Sequence, residues 1–207
     1  MKIGAERIQG IVKSLRVFSR MDEAALKEVD IHEGIDSTLV ILQHRFKSKD
    51  HRPEIEIRKQ YGVLPLVECY AGQLNQVFMN IISNAVDALE EAFTQNKTLR
   101  PEIRIITRSD GDIITIDIID NGPGIPKNIQ ERLFNPFFTT KPIGKGTGMG
   151  LSISHQIVTA KHGGKLSCFT EEGQGTTFRI QIPLTLVVPE KLVQLQDDRD
   201  LKCCSNG

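Results

Sequence analysis

Residues 72–95 read GQLNQVFMNIISNAVDALEEAFTQ and form the most periodic segment of the chain. Their apolar side chains recur at steps of three and four residues, which places them on one face of an α-helix. That face consists of Leu74, Val77, Phe78, Ile81, Ile82, Ala85 and Leu89. The pattern predicts a long amphipathic helix with one side buried in a core.

Three polar residues of the same helix border its apolar face. Asn80 and Asn84 are four residues apart and Asp87 follows three residues later, so their side chains share one side of the helix. Asparagine is a poor helix-interior residue because its amide competes for backbone hydrogen bonds. Two interpretations stay open from this helix alone. The stripe is either a solvated polar face or a set of oxygen ligands for a hard cation such as Mg²⁺, which usually takes only one or two protein ligands.

The rest of the chain alternates helical segments with paired strands. Helices are predicted at 6–29, 32–47 and 149–162, and strands at 54–61, 102–109, 113–120, 165–170 and 176–183. The dipeptide Asp110-Gly111 is a hairpin signal, and Gly163-Gly164 is a helix-ending signal. This order of elements predicts an α+β fold, a two-layer α/β sandwich with helices on one face of a mixed sheet.

One predicted strand ends in a carboxylate followed by a glycine-rich turn, IIDNGPGIP at residues 118–126. A carboxylate fixed at a strand end, here Asp120, can accept a hydrogen bond from an exocyclic amine. Gly122 and Gly124 leave room for a flat ring to approach the backbone. The same residues also suit an ordinary Asp-Asn turn, so this motif alone is a weak signal.

A second glycine-rich stretch, GKGTGMGLSIS at residues 144–154, runs into a predicted helix. Its spacing fits neither a P-loop nor a dinucleotide-binding turn. Free N–H groups at a helix start near Met149 would attract anions, and Lys141 and Lys145 lie beside the loop. A flexible linker is the alternative. The stretch therefore suggests a backbone-exposed loop that binds phosphate.

Three phenylalanines precede this loop in FNPFFTTK, residues 134–141. We expect Phe134, Phe137 and Phe138 to anchor the loop to the core and to act as its hinge.

Composition excludes several classes of function. The 207 residues are 39% hydrophobic and 25% charged, as in ordinary globular proteins, and 26 basic residues balance 26 acidic ones. No net charge therefore recruits nucleic acid or an anionic membrane, and aromatic residues are few, at 5%. No apolar run reaches membrane-spanning length and no signal peptide opens the sequence. The cysteines, Cys69, Cys168, Cys203 and Cys204, lack zinc-like spacing and suit a reducing cytosol.

Four motifs occur in a specific order: N-x-x-x-N on a helix, D-x-G-x-G after a strand, an F-x-P-F-F hinge and a G-x-G-x-G loop. In this order, and with the closing strand GQGTTFRIQIP, the chain resembles the catalytic and ATP-binding domain of two-component sensor histidine kinases. The wider superfamily includes DNA gyrase, MutL and chaperone ATPases. The resemblance runs from about Glu6 to Pro183 and implies a Bergerat-type ATP-binding fold.

The resemblance also implies a role for each motif residue in binding ATP and Mg²⁺. Asn84 resembles the magnesium ligand, with Asn80 assisting at the phosphates and Asp87 beside them. Asp120 resembles the residue that recognises the adenine amino group, joined by Thr176. The other implied contacts are Gly122, Gly124 and Ile125 at the ring, Gly146, Thr147, Gly148, Met149, Gly150 and Leu151 in a lid over the phosphates, and Lys141 and Lys145 as phosphate contacts.

By the same resemblance, residues 1–30 are the second helix of a dimerisation hairpin, 31–185 the catalytic domain and 186–207 a C-terminal tail. Ile8, Ile11, Leu15 and Phe18 form a bundle seam, which predicts a homodimer through this helix in the full-length kinase. The implied partners are ATP and the receiver domain of a response regulator. The expected location is the cytoplasm, as a soluble protein or as the cytoplasmic part of a membrane-anchored sensor.

The phosphoacceptor histidine of that family would precede the first helix, so the sequence is expected to bind Mg-ATP without labelling itself. His32 is followed by Glu33 as in the acceptor motif, but the rest of the motif is missing, and a surface position is expected for it. His44 and His51 are expected at the surface, His155 in packing, and His162 at a helix end where the dipole favours a charged imidazole. A serine-kinase or anti-sigma-type relative and a non-catalytic docking module remain as alternatives.

Overall fold

The computed structural model describes residues 25–48, 52–141 and 146–186. Seven strands are β1 (Lys27–Val29), β2 (Glu56–Tyr61), β3 (Val67–Cys69), β4 (Glu102–Asp110), β5 (Ile113–Asp120), β6 (Lys165–Glu171) and β7 (Gly175–Pro183) in these ranges. The helices there are α1 (Ile31–Phe46), α2 (Ala71–Gln95), α3 (Lys127–Gln130) and α4 (Gly150–Gln156), the last continued by a π-helical turn, Ile157–Lys161.

Five strands form one mixed sheet in the order β2-β4-β5-β7-β6. Only β2 and β4 are parallel, and every other neighbouring pair is antiparallel. The face of the sheet that carries Ile103, Ile116 and Ile180 packs against the apolar sides of α1 and α2 in a single core. The predicted α+β sandwich is confirmed.

The long helix α2 buries the face that its periodicity predicted. All seven of its predicted apolar residues are buried, and Val77, Ile81 and Leu89 are fully so. The predicted β4–β5 hairpin is also present, since Asp110 pairs with Ile113 across a two-residue turn. Gly111 has a φ of 57° in that turn, a conformation that favours glycine in a tight hairpin.

The end of the first predicted helix is wrong. Residues Lys27–Val29 form β1, which pairs antiparallel with β3, a strand that the sequence did not reveal. Val67 and Cys69 of β3 are fully buried, and a tertiary pairing of this kind overrides local helix propensity. The seam of Ile8, Ile11, Leu15 and Phe18 lies outside the described residues, as does the tail from residue 187 onward.

His162 differs from the prediction in its charge. It lies at the end of the π-helical turn as expected, but it is fully buried. Its Nδ1 donates to the carbonyl of Ile157 at 2.8 Å, and its Nε2 accepts from the backbone N–H of Tyr70 at 3.1 Å. Burial lowers the pKa of His162. A neutral imidazole joins two backbone segments here, where the sequence suggested a cation that stabilises a helix end.

His32 also departs from expectation. Its side chain is only 21% exposed, because the ring stacks on Tyr61 with a centroid separation of 4.2 Å and its Nε2 lies 2.9 Å from Thr107 Oγ1. His44 is exposed and His155 packs against Phe134, both as predicted, while His51 lies outside the described residues.

Candidate functional site

Asn80 connects the long helix α2 to the start of α4, the lid helix that follows the glycine-rich loop. Its amide nitrogen donates to the carbonyl of Gly150 at 3.0 Å and to Ser154 Oγ at 3.1 Å. Gly150 approaches so closely that an added Cβ would lie 3.5 Å from Asn80 Cγ. Since α4 uses the amide protons of Asn80, its carbonyl oxygen is the atom that this side chain can offer to a ligand.

Asn84 and Asp87 both contact the ammonium group of Lys141, which lies just before the glycine-rich lid loop. The ammonium nitrogen of Lys141 lies 2.9 Å from Asn84 Oδ1 and 2.5 Å from Asp87 Oδ2. The other oxygen of Asp87 lies 2.5 Å from Arg45 Nη2 on α1. Burial by itself raises the pKa of Asp87, but the hydrogen bonds and charges of Lys141 and Arg45 outweigh it and lower the pKa below its usual value. Asp87 is therefore a carboxylate that holds two cations.

This donor set fits a hard cation. A carboxamide oxygen with a carboxylate one turn further along the helix offers the oxygen ligands that Mg²⁺ prefers. The approach of Lys141 to Asn84 Oδ1 demonstrates that a positive group can reach this oxygen from the lid side. The residues present therefore suit a magnesium ion held jointly with phosphate oxygens.

Asp120 is a buried carboxylate at the end of β5. Its side chain is almost covered, with the residue 4% exposed, and its Oδ1 accepts from the backbone N–H of Gly122 at 2.9 Å. Burial raises its pKa to about 6, although hydrogen bonds from the backbones of Gly122 and Thr176 pull in the opposite direction. At neutral pH, Asp120 is thus largely ionised and acts as a hydrogen-bond acceptor.

A side chain is excluded at Gly122 and at Gly124 by different neighbours. A Cβ on Gly122 would lie 2.7 Å from Asp120 Oδ1 and 3.4 Å from Ala88 Cβ, so its absence keeps the carboxylate accessible beside α2. Gly124 has a φ of 71°, and a Cβ there would lie 2.1 Å from the carbonyl oxygen of Glu171. Gly124 therefore serves close packing of the turn on the β6–β7 hairpin, whereas the sequence suggested room for a ring.

A cavity opens between this turn and the ends of β6 and β7. Asp120, Gln130, Cys168, Thr170 and Thr176 are among the residues that line it. Asp120 and Thr176 are directly opposite each other in the β5–β7 register. The sequence expectation that both residues contact one ligand group requires such proximity. Ile125 contributes its backbone N–H, which donates to Thr170 Oγ1 at 2.9 Å.

The lid loop folds back on the segment before it through backbone contacts. Gly148 has a φ of 66°, and an added Cβ would lie 2.5 Å from the carbonyl carbon of Phe137. Gly146 lies against side chains instead, since an added Cβ would lie 2.8 Å from Thr139 Oγ1 and 3.1 Å from Lys141 Cδ. Thr147 accepts from the backbone N–H of Met149 at 3.3 Å. Gly150 begins α4 as predicted, Leu151 packs against the core, and Lys145 lies outside the described residues.

The hinge prediction is wrong for one of the three phenylalanines. Phe137 is 74% exposed and has a φ of 65°, so its backbone, and not its ring, holds the lid. Phe134 packs against the core and lies 4.9 Å from the ring of His155. The guanidinium of Arg132 covers the half-buried Phe138 at 4.7 Å.

Sequence reasoning missed Arg45 and Arg52. Arg52 is buried and donates to the carbonyls of Arg45, Phe46 and Lys47 at the end of α1, and it also pairs with Glu90 at 3.2 Å. No local pattern signals either arginine. Thr170 was also missed, although the hairpin around EEGQG predicts its position opposite Thr176.

In the described ranges, no helix is both long and apolar enough to cross a bilayer. The family model of histidine kinase-, DNA gyrase B- and HSP90-like ATPases matches residues 70–186. This match begins just before α2 and ends after β7, so it contains Asn80, Asn84, Asp87, Asp120 and Lys141, but not Arg45.

Curated relatives are sensor kinases. The chain is 35% identical over 191 residues to the sensor kinase CckA of Brucella abortus, covering 88% of this chain and 20% of that protein. It is 32% identical over 187 residues to the sensory histidine kinase/phosphatase NtrB of Rhizobium leguminosarum, covering 86% of this chain and 46% of that protein. The chain thus spans less than half of either relative.

The solved catalytic domain of the histidine kinase ThkA, in a nucleotide-free form, superposes with a TM-score of 0.66 at 28% identity. The match covers 78% of this chain and 97% of that domain. The family model spans more than half of the residues of the chain. The chain belongs to the histidine kinase-, DNA gyrase B- and HSP90-like ATPases, and its fold is that of a sensor histidine kinase catalytic domain.

Proposed function

We propose that this chain binds Mg-ATP and transfers its γ-phosphoryl group to a histidine outside the catalytic domain, from which a response regulator receives it. The observation that carries the proposal is that two polar groups lie beside the same helix, α2. One is Asp120 at the end of β5, and the other consists of Asn84, Asp87 and Lys141. Gly122, beside Asp120, meets α2 at Ala88, one turn beyond Asn84. An adenine at Asp120 therefore has its phosphates within reach of Asn84 and the lid.

Each cluster has a separate task in this proposal. Asp120 accepts a hydrogen bond from the adenine amino group, and Gly122 leaves the carboxylate open to it. Asn84 would supply an oxygen ligand to Mg²⁺, and the ion would offset the negative charge of the phosphate oxygens. Lys141, which now contacts Asn84 Oδ1, would then leave this oxygen to the ion and contact the phosphates.

Asn80 has a positioning task. Its hydrogen bonds to Gly150 and Ser154 hold the start of α4 against α2. The glycines at 146, 148 and 150 allow the loop to close by backbone contact, which places its N–H groups near the phosphates. Closure then excludes water from the reacting group.

We further propose that residues 1–30 mediate dimerisation, that residues 31–185 form the catalytic unit, and that the protein acts in the cytoplasm. Three of the four described histidines, His32, His155 and His162, are held by Tyr61, Phe134 and backbone groups respectively. The fourth, His44, is exposed, with its Nδ1 3.2 Å from the carbonyl oxygen of Ile41. These contacts favour a phosphoacceptor located elsewhere.

Thermal unfolding of the whole chain with and without Mg-ATP tests the proposal. A ligand at 100 times its dissociation constant adds about 2.7 kcal/mol to the free energy of unfolding, so the midpoint should rise by several degrees. Replacing Mg²⁺ with EDTA, or Asn84 with Ala, should remove most of the shift. Asp120→Asn should also remove the shift. Asp112→Asn, in the exposed β4–β5 turn, is its matched control and should retain the shift.

Absence of any Mg-ATP-dependent shift in the wild-type chain would overturn the proposal and favour a non-catalytic docking module. Acid-labile phosphate on the isolated chain after incubation with labelled ATP would instead contradict the external acceptor histidine.

A further inference from the structure

We propose that Thr170 is a positioning residue that sets the selectivity of the site for the 6-amino group of adenine. It acts by fixing the direction of the Thr176 hydroxyl. The inference rests on the proposed ATP-binding function. It concerns a residue of β6 that lines the cavity beside Asp120 but belongs to none of the sequence motifs.

The hydroxyl of Thr170 has three neighbours. Its Oγ1 lies 2.9 Å from the backbone nitrogen of Ile125, 3.0 Å from the carbonyl oxygen of Gly175 and 3.1 Å from Thr176 Oγ1. A hydroxyl has one proton and two lone pairs. The three contacts therefore use its full hydrogen-bonding capacity.

The direction of each hydrogen bond follows from the chemistry of the partners. The carbonyl of Gly175 can only accept, so it takes the proton of Thr170. The N–H of Ile125 can only donate, so it takes one lone pair. The remaining lone pair of Thr170 must accept the proton of Thr176. Thr176 is left with lone pairs only for any ligand in the cavity.

The position of Thr170 is itself fixed by the turn above it. Gln130 Nε2 donates to the carbonyl of Ile125 at 2.7 Å, and Thr170 accepts from the N–H of the same residue. Both backbone groups of Ile125 are thus bound by side chains that line the cavity. Rotation of Thr170 would leave the half-buried N–H of Ile125 without this partner, which is unfavourable.

Two acceptors consequently line the same cavity from opposite positions on neighbouring strands. Thr176 lies opposite Asp120 in the β5–β7 register and is almost fully buried. An ionised carboxylate and a hydroxyl that has already donated its proton both require a donor from the ligand or from a bridging water. An exocyclic amine supplies donors at this point. A base without the amine offers no donor to the Thr176 hydroxyl oxygen or to the remaining lone pairs of Asp120, and such sites discriminate between ligands.

Competition binding against a fluorescent ATP analogue tests this with two ligands, ATP and purine riboside triphosphate, which lacks only the 6-amino group. The variants are Thr170→Val, which removes the hydroxyl at constant shape, and Thr170→Ser, which keeps it. Thr115→Val, a buried strand threonine outside the cavity lining, is the control. Melting temperatures of all variants are measured in parallel.

In the wild type we expect ATP to bind more tightly than purine riboside triphosphate. Thr170→Val should reduce that preference about three- to tenfold, the effect of one hydrogen bond, because the Thr176 proton is released and can turn toward the ligand. Thr170→Ser and Thr115→Val should keep the wild-type ratio.

Two outcomes overturn the inference alone. Equal loss of affinity for both ligands in Thr170→Val would mean that the residue only supports the turn, and unchanged affinities for both ligands would mean that it does not orient Thr176. A wild-type chain that binds neither ligand would overturn the proposed function as well, so the two failures are distinguishable.

Discussion

Two aspartates of β5, three residues apart, have opposite effects on stability. Asp117 points to the open face of the sheet, where Arg179 and Arg108 hydrogen bond to it at 2.7 and 2.9 Å. Burial raises its pKa, but these two guanidinium groups outweigh that effect and lower it overall. Asp120 lies on the helix-covered face without a cationic hydrogen-bond partner among the described residues, and burial raises its pKa to about 6. The charged form of Asp117 therefore stabilises the fold, whereas the charged form of Asp120 does not.

We predict that Asp120→Asn raises the free energy of unfolding at pH 7 by about 3 kcal/mol, since burial raises the pKa from 3.8 to about 6 and one pKa unit corresponds to about 1.4 kcal/mol. A raised folded-state pKa means that the wild type loses stability as pH rises from about 4 to 6. Asparagine keeps an oxygen for the Gly122 N–H without the charge. Urea unfolding at pH 7 and pH 4 measures the difference, and ATP binding should be lost in parallel.

Asp117→Asn is the matched control and should act in the opposite direction. The lowered pKa of Asp117 means that its contribution is present above the usual aspartate pKa and is lost on acidification. The variant should be less stable than wild type at pH 7 and nearly equal to it at low pH. An Asp120→Asn chain less stable than wild type at pH 7 would contradict our account of this buried charge.

At the scale of elements, one amide joins α2 to the lid helix by hydrogen bonds, beside the apolar packing of Leu151 and Ile153 against the core. Asn80 binds α4 directly, whereas Asn84, one turn further along, contacts Lys141 of the lid segment. Adjacent asparagines of the same motif thus connect α2 to two different parts of the lid. Their effects on the lid are therefore separable.

We predict that Asn80→Ala increases amide hydrogen exchange across 150–156 in the nucleotide-free chain by about thirtyfold, because two hydrogen bonds worth about 1 kcal/mol each are lost and about 1.4 kcal/mol corresponds to a factor of ten. Asn84→Ala should leave exchange in this segment unchanged while removing the Mg²⁺ dependence of ATP binding. Hydrogen-exchange mass spectrometry of both variants measures the difference. Equal exchange in the two variants would show that Asn80 does not hold α4.

At the scale of the whole molecule, His162 joins the end of the π-helical turn to the start of α2. Its ring bonds the backbones of Ile157 and Tyr70 and is fully buried. Tyr70 directly follows β3, which pairs with β1. One neutral imidazole therefore connects the lid helix, the long helix and the small two-stranded sheet.

We predict that global stability falls as pH drops below about 6.5. Burial lowers the folded-state pKa of His162, so the unfolded chain takes up the proton first and is favoured by acid. Measurement in an Asp120→Asn background removes the opposing effect of that carboxylate. His162→Gln should be less stable at pH 8 but should lose most of the slope between pH 7 and pH 5.5. An unchanged slope in the Gln variant would assign the acid sensitivity to other groups.

Local patterns were sufficient for the elements that bury one regular face or close one short turn. The period of α2, the Asp110-Gly111 hairpin and the end of the lid helix at Gly163 all depend on residues within a few positions of one another. The order of the four motifs was likewise enough to indicate the family and to place Asn84, Asp120 and the lid on the correct elements.

Only the tertiary structure decided which residues contact the side chains of the site, because these partners are distant in the sequence. Lys141 reaches Asn84 across 57 positions, and Arg45 reaches Asp87 across 42. The pairing of β1 with β3 joins residues about 40 positions apart. The physical reason is that hydrogen bonds and charge pairs are satisfied wherever packing brings partners together. A periodicity records which face of an element is buried, but not which polar group lies opposite.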